Sequence, residues 1–440
     1  MEPFELSASH ALHLIRSREL SCEELARSTI QRIETRDAAV KAWVFFNPDA
    51  LLRRARELDK APATGLAHGF TLGVKDVVQT FDMPTQHNSL LYQGHHSGQD
   101  AACVDIARSS GALIAGKTDT VEFASGGRLA LTRNPNNLEY SPGGSSSGSA
   151  AAVADKQAQF AIGTQTGGSL IRPAAYNGIY AFKPTHGAVS TEGVKHLSHT
   201  CDTVGWYSRT VEDLVLFGKM YRLPNADATK PTVIKGLKIG VCRGAGWPVA
   251  DGYARAALQE ASRRLESAGA IVQELTLPEP FDELNDAHGI IMPAEARVSF
   301  MAEYVGPNGH LMGKHFVDFI ENSRKITPDD LIRAYDLAAR CRTEFDALLR
   351  GKFDAVLTLA SPGEPPLMEQ NSTGTPVCNS TWTLLHAPCV AIPVGKSPRS
   401  LPLGVQLVGA RFSDSRLLEV AKACAPAIHE NDCLRELTPV

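Results

Sequence analysis

The sequence predicts an α/β protein in which a sheet is covered by helices on both faces. Three observations carry this. Short apolar runs recur along the 440 residues, and helical patterns fall between several of them. A composition of 43% hydrophobic and 21% charged residues is that of a globular chain, and this length buries a full core without disulfide or metal staples. The same figures exclude wholesale disorder, collagen-like sequence and coiled coil.

Two helices open the chain. The second starts at Ser21, with Glu24 three residues on as a capping box, and it sets Ala26, Ile30 and Ile33 on one face. Strands are expected at Ala112–Ala115, Leu237–Cys242, Ala355–Leu359, Val390–Pro393 and Val405–Val408. Between them, a helix over Tyr253–Ala268 closes on Gly269 as its C-cap. Another starts at Thr327-Pro328-Asp329-Asp330, with proline in the first helical position and acids in the first turn. The stretch Leu223–Gly236, with Pro224, Asn225, Asp227 and Pro231, is the best candidate for a joint, and one continuous domain over residues 1–440 is expected.

Lys plus Arg is 44 against Asp plus Glu 48, a net charge of −4. That balance lacks the basic footprint of a nucleic-acid binder. The nine cysteines are odd in number and show no CxxC spacing, so buried free thiols are expected rather than a disulfide scaffold or zinc ribbon. The N-terminal segment carries acids early and lacks a long apolar core, and the uncharged stretch Gln370–Gly395 is broken by Pro376, Pro388 and Pro393. A soluble cytoplasmic chain is the expectation.

Chemistry concentrates in Ser141–Gly187. Two glycine-serine loops, Gly143–Ser149 and Gly163–Ser169, bracket an alanine-rich stretch able to form a helix. Glycine leaves backbone N–H groups unshielded, and successive exposed N–H groups make an anion-binding concavity. The uses that compete are a phosphate cradle, an oxyanion hole and a plain linker. Neither loop carries the Lys-Ser/Thr of a Walker loop or the GxGxxG of a dinucleotide site. A serine ending a glycine nest suits acyl transfer, because its hydroxyl attacks a carbonyl while nearby N–H groups hold the oxyanion. GxSxG is not formed around Ser169, so an α/β-hydrolase elbow is not predicted. The base is open between His186, close in sequence, and Lys75 at the end of an apolar segment.

The segments GGSSSGSAAAVA, GTQTGGS and RPAAYNGIYAFKPTHG resemble the signature region of the amidase signature family. The resemblance runs on through GVKD at Gly73–Asp76, GKT at Gly116–Thr118, Asp202-Thr203-Val204-Gly205 and PLGVQLVG at Pro402–Gly409, so it covers most of the chain in order. It implies one amidase-signature domain with a central mixed sheet, a signature core at about 70–215 and a variable substrate-pocket region at about 280–385. It also implies a Ser–cis-Ser–Lys triad. Ser169 matches the nucleophile, Ser145 the bridging serine by its spacing from Ser169, and Lys75 the base. The backbone N–H groups of Thr166, Gly167, Gly168 and Ser169 match the oxyanion hole.

Three positions depart from the family's commonest pattern. Gln165 stands where many members have Asp, Ser147 replaces a glycine, and Arg172 lies three residues after Ser169 rather than two. Arginine at that offset resembles the malonamidase-like branch, where it receives the substrate's carboxylate through paired hydrogen bonds. The competing reading is a structural arginine tying the loop to carbonyls or a buried acid.

The resemblance implies an amidase that hydrolyses a carboxamide through an acyl-enzyme with no cofactor and no metal, and with esterase action as a natural side activity. Its expected partner is a small-molecule amide, with no nucleic acid, no membrane, and a homodimer as the plausible assembly. The alternative is the catalytic subunit of a glutamine-dependent tRNA amidotransferase, which shares the triad but needs partner proteins. Gln165 and Arg172 depart from that subunit's pattern. A non-catalytic binding protein on this fold is disfavoured by the presence of all three triad residues. In the variable stretches Phe281–Asn322 and Ser361–Thr381, and just beyond, His288, Met292, Tyr304, Met312 and Trp382 fit a pocket wall or a core equally well.

Overall fold

The computed structural model describes residues 2–224, 232–429 and 434–440. Among these, eleven strands form one sheet: β1 (Trp43–Phe46), β2 (Thr71–Lys75), β3 (Leu113–Thr118), β4 (Phe160–Gln165), β5 (Tyr180–Lys183), β6 (Thr203–Ser208), β7 (Lys238–Val241), β8 (Ile271–Glu274), β9 (Ala355–Leu359), β10 (Cys389–Lys396) and β11 (Pro402–Val408). Their order is β1-β3-β2-β4-β6-β5-β10-β11-β9-β7-β8. Strands β3, β2 and β4 run parallel, as do β9, β7 and β8, and the middle of the sheet from β4 to β9 is antiparallel. The sheet is therefore mixed, as the resemblance implies.

Helices cover both faces. Phe160, Ile162, Leu357, Val390 and Ile392 pack with Leu214, Phe217, Leu258 and Leu418 on one side. The intervening Ala161, Val356, Cys389 and Ala391 pack with Val153, Ile171, Leu284 and Leu337 on the other. Successive strand residues thus feed opposite cores, as the two-residue period of a strand requires.

The opening helices are Ala8–Ser17 and Cys22–Val40, and the second has the capping box of Ser21 and Glu24 in place. The helix Gly252–Ser267 stops before Gly269 at φ 97°, and Pro328–Lys352 is capped by Thr327 and Asp330. Each of the five expected strands exists, with ends moved by a few residues. The expected glycine-serine loops differ: Gly163 lies inside β4, and Ser147–Ser149 already belong to the helix Ser147–Ala154. Strand β4 is buried on both faces, so polar Thr164 and Gln165 break the apolar signal that would mark it. The turn signals Asn225, Asp227 and Pro231 of the candidate joint lie outside the described residues. Eight cysteines are free and buried, and Cys433 is also outside that range. No helix among the described residues is long and apolar enough to cross a membrane.

Candidate active site

Strands β2 and β4 are parallel neighbours, and the residues of interest gather at their C-terminal ends. Such strand ends are where open α/β sheets place ligand sites. Lys75 ends β2 and is wholly buried. Its Nζ donates to Ser145 Oγ at 2.8 Å and to Thr164 Oγ1 at 2.7 Å. The adjacent carboxylate, Asp76, is taken by Lys117 at 3.2 Å, which leaves Lys75 hydrogen-bonded to hydroxyls. Burial holds the Lys75 ammonium well below its ordinary pKa, and the negative charge of Asp202 pulls the other way.

Ser145 follows Gly144 through a cis peptide bond. Its two neighbours are spent on backbone. Ser146 Oγ accepts from Thr164 N and donates to Thr164 O, and Ser147 Oγ donates to Gly143 O at 2.7 Å. Of the three consecutive serines, Ser145 is the one hydrogen-bonded to Lys75. The helix that follows sits close to the sheet because Gly148 has no side chain: a Cβ there would lie 2.2 Å from Ala42 O and 2.4 Å from Asp119 N.

Ser169 stands at the end of the loop leaving β4 and is 8% exposed. Its carbonyl accepts from Tyr207 Oη at 3.0 Å. Among the described residues no hydrogen bond joins Ser169 to Ser145 or Lys75, so the structure links two of the three expected members directly. His186 stacks on His386 and donates Nε2 to His199 O, with no hydrogen bond to Ser169.

The loop 166–168 is held from several sides. Thr166 Oγ1 donates to Asp202 Oδ1 at 2.5 Å, and Thr166 O accepts from His288 Nε2 at 2.8 Å. Gly167 O accepts from Thr383 Oγ1 at 2.7 Å. Gln165 Oε1 accepts from the N–H groups of Leu170 and Ile171, at the start of the helix Ile171–Asn177, and its Nε2 donates to Thr383 Oγ1. His288, one of the pocket-or-core residues, is therefore a buried ligand of this loop. Trp382 and Met312 are core, and Tyr304 Oη donates to Glu321. Thr383 carried no sequence signal, and nothing in the spacing joins position 288 or 383 to a loop more than a hundred residues away.

Arg172 is buried, and its Nη2 donates to Gly144 O at 2.6 Å. Its Nε and Nη1 are also buried and have no hydrogen-bond partner among the described residues. Beside Gly144, a cleft of about 640 Å³ is lined by Leu131, Ser141, Ser147 and Thr373 among others.

A lysine buried against a serine at the end of a mixed sheet, with a glycine-rich loop ending in a second serine, is a constellation able to perform serine-dependent acyl transfer. The Amidase family profile matches residues 24–418, and the chain belongs to that family. It is an amidohydrolase with the amidase signature.

Its relatives include a Glutamyl-tRNA(Gln) amidotransferase subunit of Symbiobacterium thermophilum, 33% identical over 98% of this chain and 99% of that one. A crystal structure of the protein of the same name from Thermotoga maritima superposes with a TM-score of 0.81 at 26% identity, covering 100% of this chain and 99% of that one. A crystal structure described as an amidase gives 0.85 at 25% identity, with 96% and 99% covered.

These relatives correct one expectation. A partner set restricted to a small amide, without nucleic acid, does not stand beside relatives named as one subunit of an enzyme for Glu-tRNA(Gln). Net charge misleads here because a subunit need not itself carry the basic surface that meets a tRNA.

Proposed function

We propose that this chain releases ammonia from a small primary carboxamide by a Ser169 acyl-enzyme, with protons relayed along Ser169–Ser145–Lys75. The observation that carries the reading is the 2.8 Å hydrogen bond between buried Lys75 and Ser145. Neutral Lys75 accepts a proton from Ser145, and Ser145 accepts one from Ser169 as its oxygen attacks the amide carbonyl. The relay reverses to protonate the departing amine, and water repeats the attack on the acyl-enzyme. The N–H groups of Thr166, Gly167, Gly168 and Ser169 receive the oxyanion.

The relatives' name favours glutamine as the amide and a multi-subunit assembly for a tRNA-linked transfer as the setting. A second substrate reading rests on Arg172. Two of its guanidinium nitrogens are buried without a hydrogen-bond partner among the described residues, which suits a carboxylate close to the reacting amide, as in malonamate. Glutamine and malonamate are both primary amides that bear a carboxylate.

Ammonia release from glutamine, malonamate and propionamide, with Ser169→Ala as blank, separates the readings. Glutamine turnover that rises when the other subunits of such an assembly are supplied is the expected result for the amidotransferase role. Malonamate preference lost in Arg172→Ala would place the carboxylate on Arg172 and favour a free-standing enzyme. Equal use of propionamide, unaffected by Arg172→Ala, would make Arg172 structural.

A further inference from the structure

We propose that His288 and Thr383, the latter polarised by Gln165, are positioning residues that aim the oxyanion amides; this rests on Ser169 as nucleophile. The argument starts from peptide geometry. In a trans peptide the C=O and N–H point in opposite directions, so anchoring a carbonyl on one side turns the next residue's N–H to the other. Three consecutive carbonyls in this loop are anchored. Thr166 O is held by His288 Nε2, Gly167 O by Thr383 Oγ1, and Gly168 O by Arg172 N at 3.0 Å. The N–H groups that these peptides turn away belong to Gly167, Gly168 and Ser169. None of the three donates to any group among the described residues. The anchor on Gly168 O is the first turn of a helix and comes with the fold. The other two are side chains brought from distant segments.

Gln165 decides which way the Thr383 hydroxyl points. Its Oε1 already accepts two backbone N–H groups, so Nε2 is the end that faces Thr383 and donates to it at 3.0 Å. Thr383 has one hydroxyl proton, and with a donor on its lone pair that proton goes to Gly167 O. A carboxylate in place of the amide would accept the proton instead and leave Gly167 O without its anchor. The amide at 165, where many members of the family have Asp, is thus matched to the threonine at 383. Space behind the loop is already filled: a Cβ on Gly168 would lie 2.5 Å from Asn379 Oδ1 and 3.1 Å from Arg172 Nη1.

The test uses p-nitrophenyl acetate hydrolysis by the full chain, with phenylboronic acid as a probe that forms a tetrahedral adduct on a serine. His288→Leu, Thr383→Val and Gln165→Glu should each lower kcat about 10- to 100-fold with KM within about twofold, since loss of a whole oxyanion donor costs about 10²–10³. The boronate Ki should rise in step with the fall in kcat. His288→Gln and Thr383→Ser keep a donor and should recover most of the rate, which also controls for variants that fold poorly. Wild-type kcat in both His288→Leu and Thr383→Val, or losses carried by KM with an unchanged boronate Ki, would overturn the inference. Ser169→Ala at the wild-type rate would instead overturn the nucleophile assignment on which it rests.

Discussion

In the proposed relay, Lys75 concentrates the chemistry of the site in one buried amine. A free lysine with a pKa near 10.4 is neutral about once in a few thousand molecules at pH 7, so a lysine base depends on being desolvated. The fold lowers the pKa by burial and raises it again in part through Asp202. The sign of the pH dependence follows. As pH falls through the lowered value, Lys75 takes up a proton, loses its capacity to accept one from Ser145, and activity drops on the acid side. Asp202→Asn removes the charge that favours the protonated amine, so a kcat/KM–pH profile should show the acid limb moved to lower pH. Lys75→Ala should lower kcat by about 10²–10⁴ at neutral pH. A wild-type rate in that variant would end its assignment as the base. Lys75, Ser145 and Ser169, the residues of the proposed relay, were named from motifs that resemble a family's, whereas His288 and Thr383 carried no such motif. They act through single hydrogen bonds to backbone carbonyls, and such bonds leave no pattern in sequence.

At the scale of elements, the site depends on how closely the helix Ser147–Ala154 approaches β2, β3 and β4. Ser149 Oγ donates to Ile162 O and shares a hydrogen bond with Thr118 Oγ1, and Gly148 meets the backbone of Ala42 and Asp119. Gly148→Ala inserts a methyl group against two backbone atoms that cannot rotate away. A destabilisation of about 1–3 kcal/mol is expected, read from the urea midpoint, together with a loss of activity as Ser145 shifts. The same region shows where sequence reading fails. Apolar β9, β10 and β11 were visible, as were capped helices such as Pro328–Lys352, because their signals are local. Strands β4, β5 and β6 carry Gly, Thr, Gln and aromatic residues and are buried on both faces, so neither alternation nor an apolar run marks them. Tertiary packing makes them strands.

Across the whole molecule, distant segments are tied by a few buried polar groups. Asp213, on the helix Val211–Met220, accepts from the N–H groups of Ala8 and Ser9 at 2.9 Å each and so caps the first helix of the chain. Arg209 reaches the same segment and donates to the carbonyls of Phe4 and Leu6. Hydrogen bonds to a charged group contribute about 1.5–3 kcal/mol. Asp213→Ala should therefore release the N-terminal helix before the sheet, and hydrogen exchange should rise over residues 8–17 while the amides of β4 and β6 stay protected. Uniform exchange across both regions would show that the N-terminal helix unfolds only with the rest.

The loop leaving β4 draws its two side-chain anchors from positions 288 and 383, while every residue of the proposed relay lies before position 170. A chain emerging from the ribosome therefore carries its lysine and both serines long before it carries the parts that orient the loop. Its lysine is also still in water, and so still charged. On the proposed relay and anchors, the nascent protein would stay inert towards amides until nearly all of it has been made, a consequence of the order of synthesis alone.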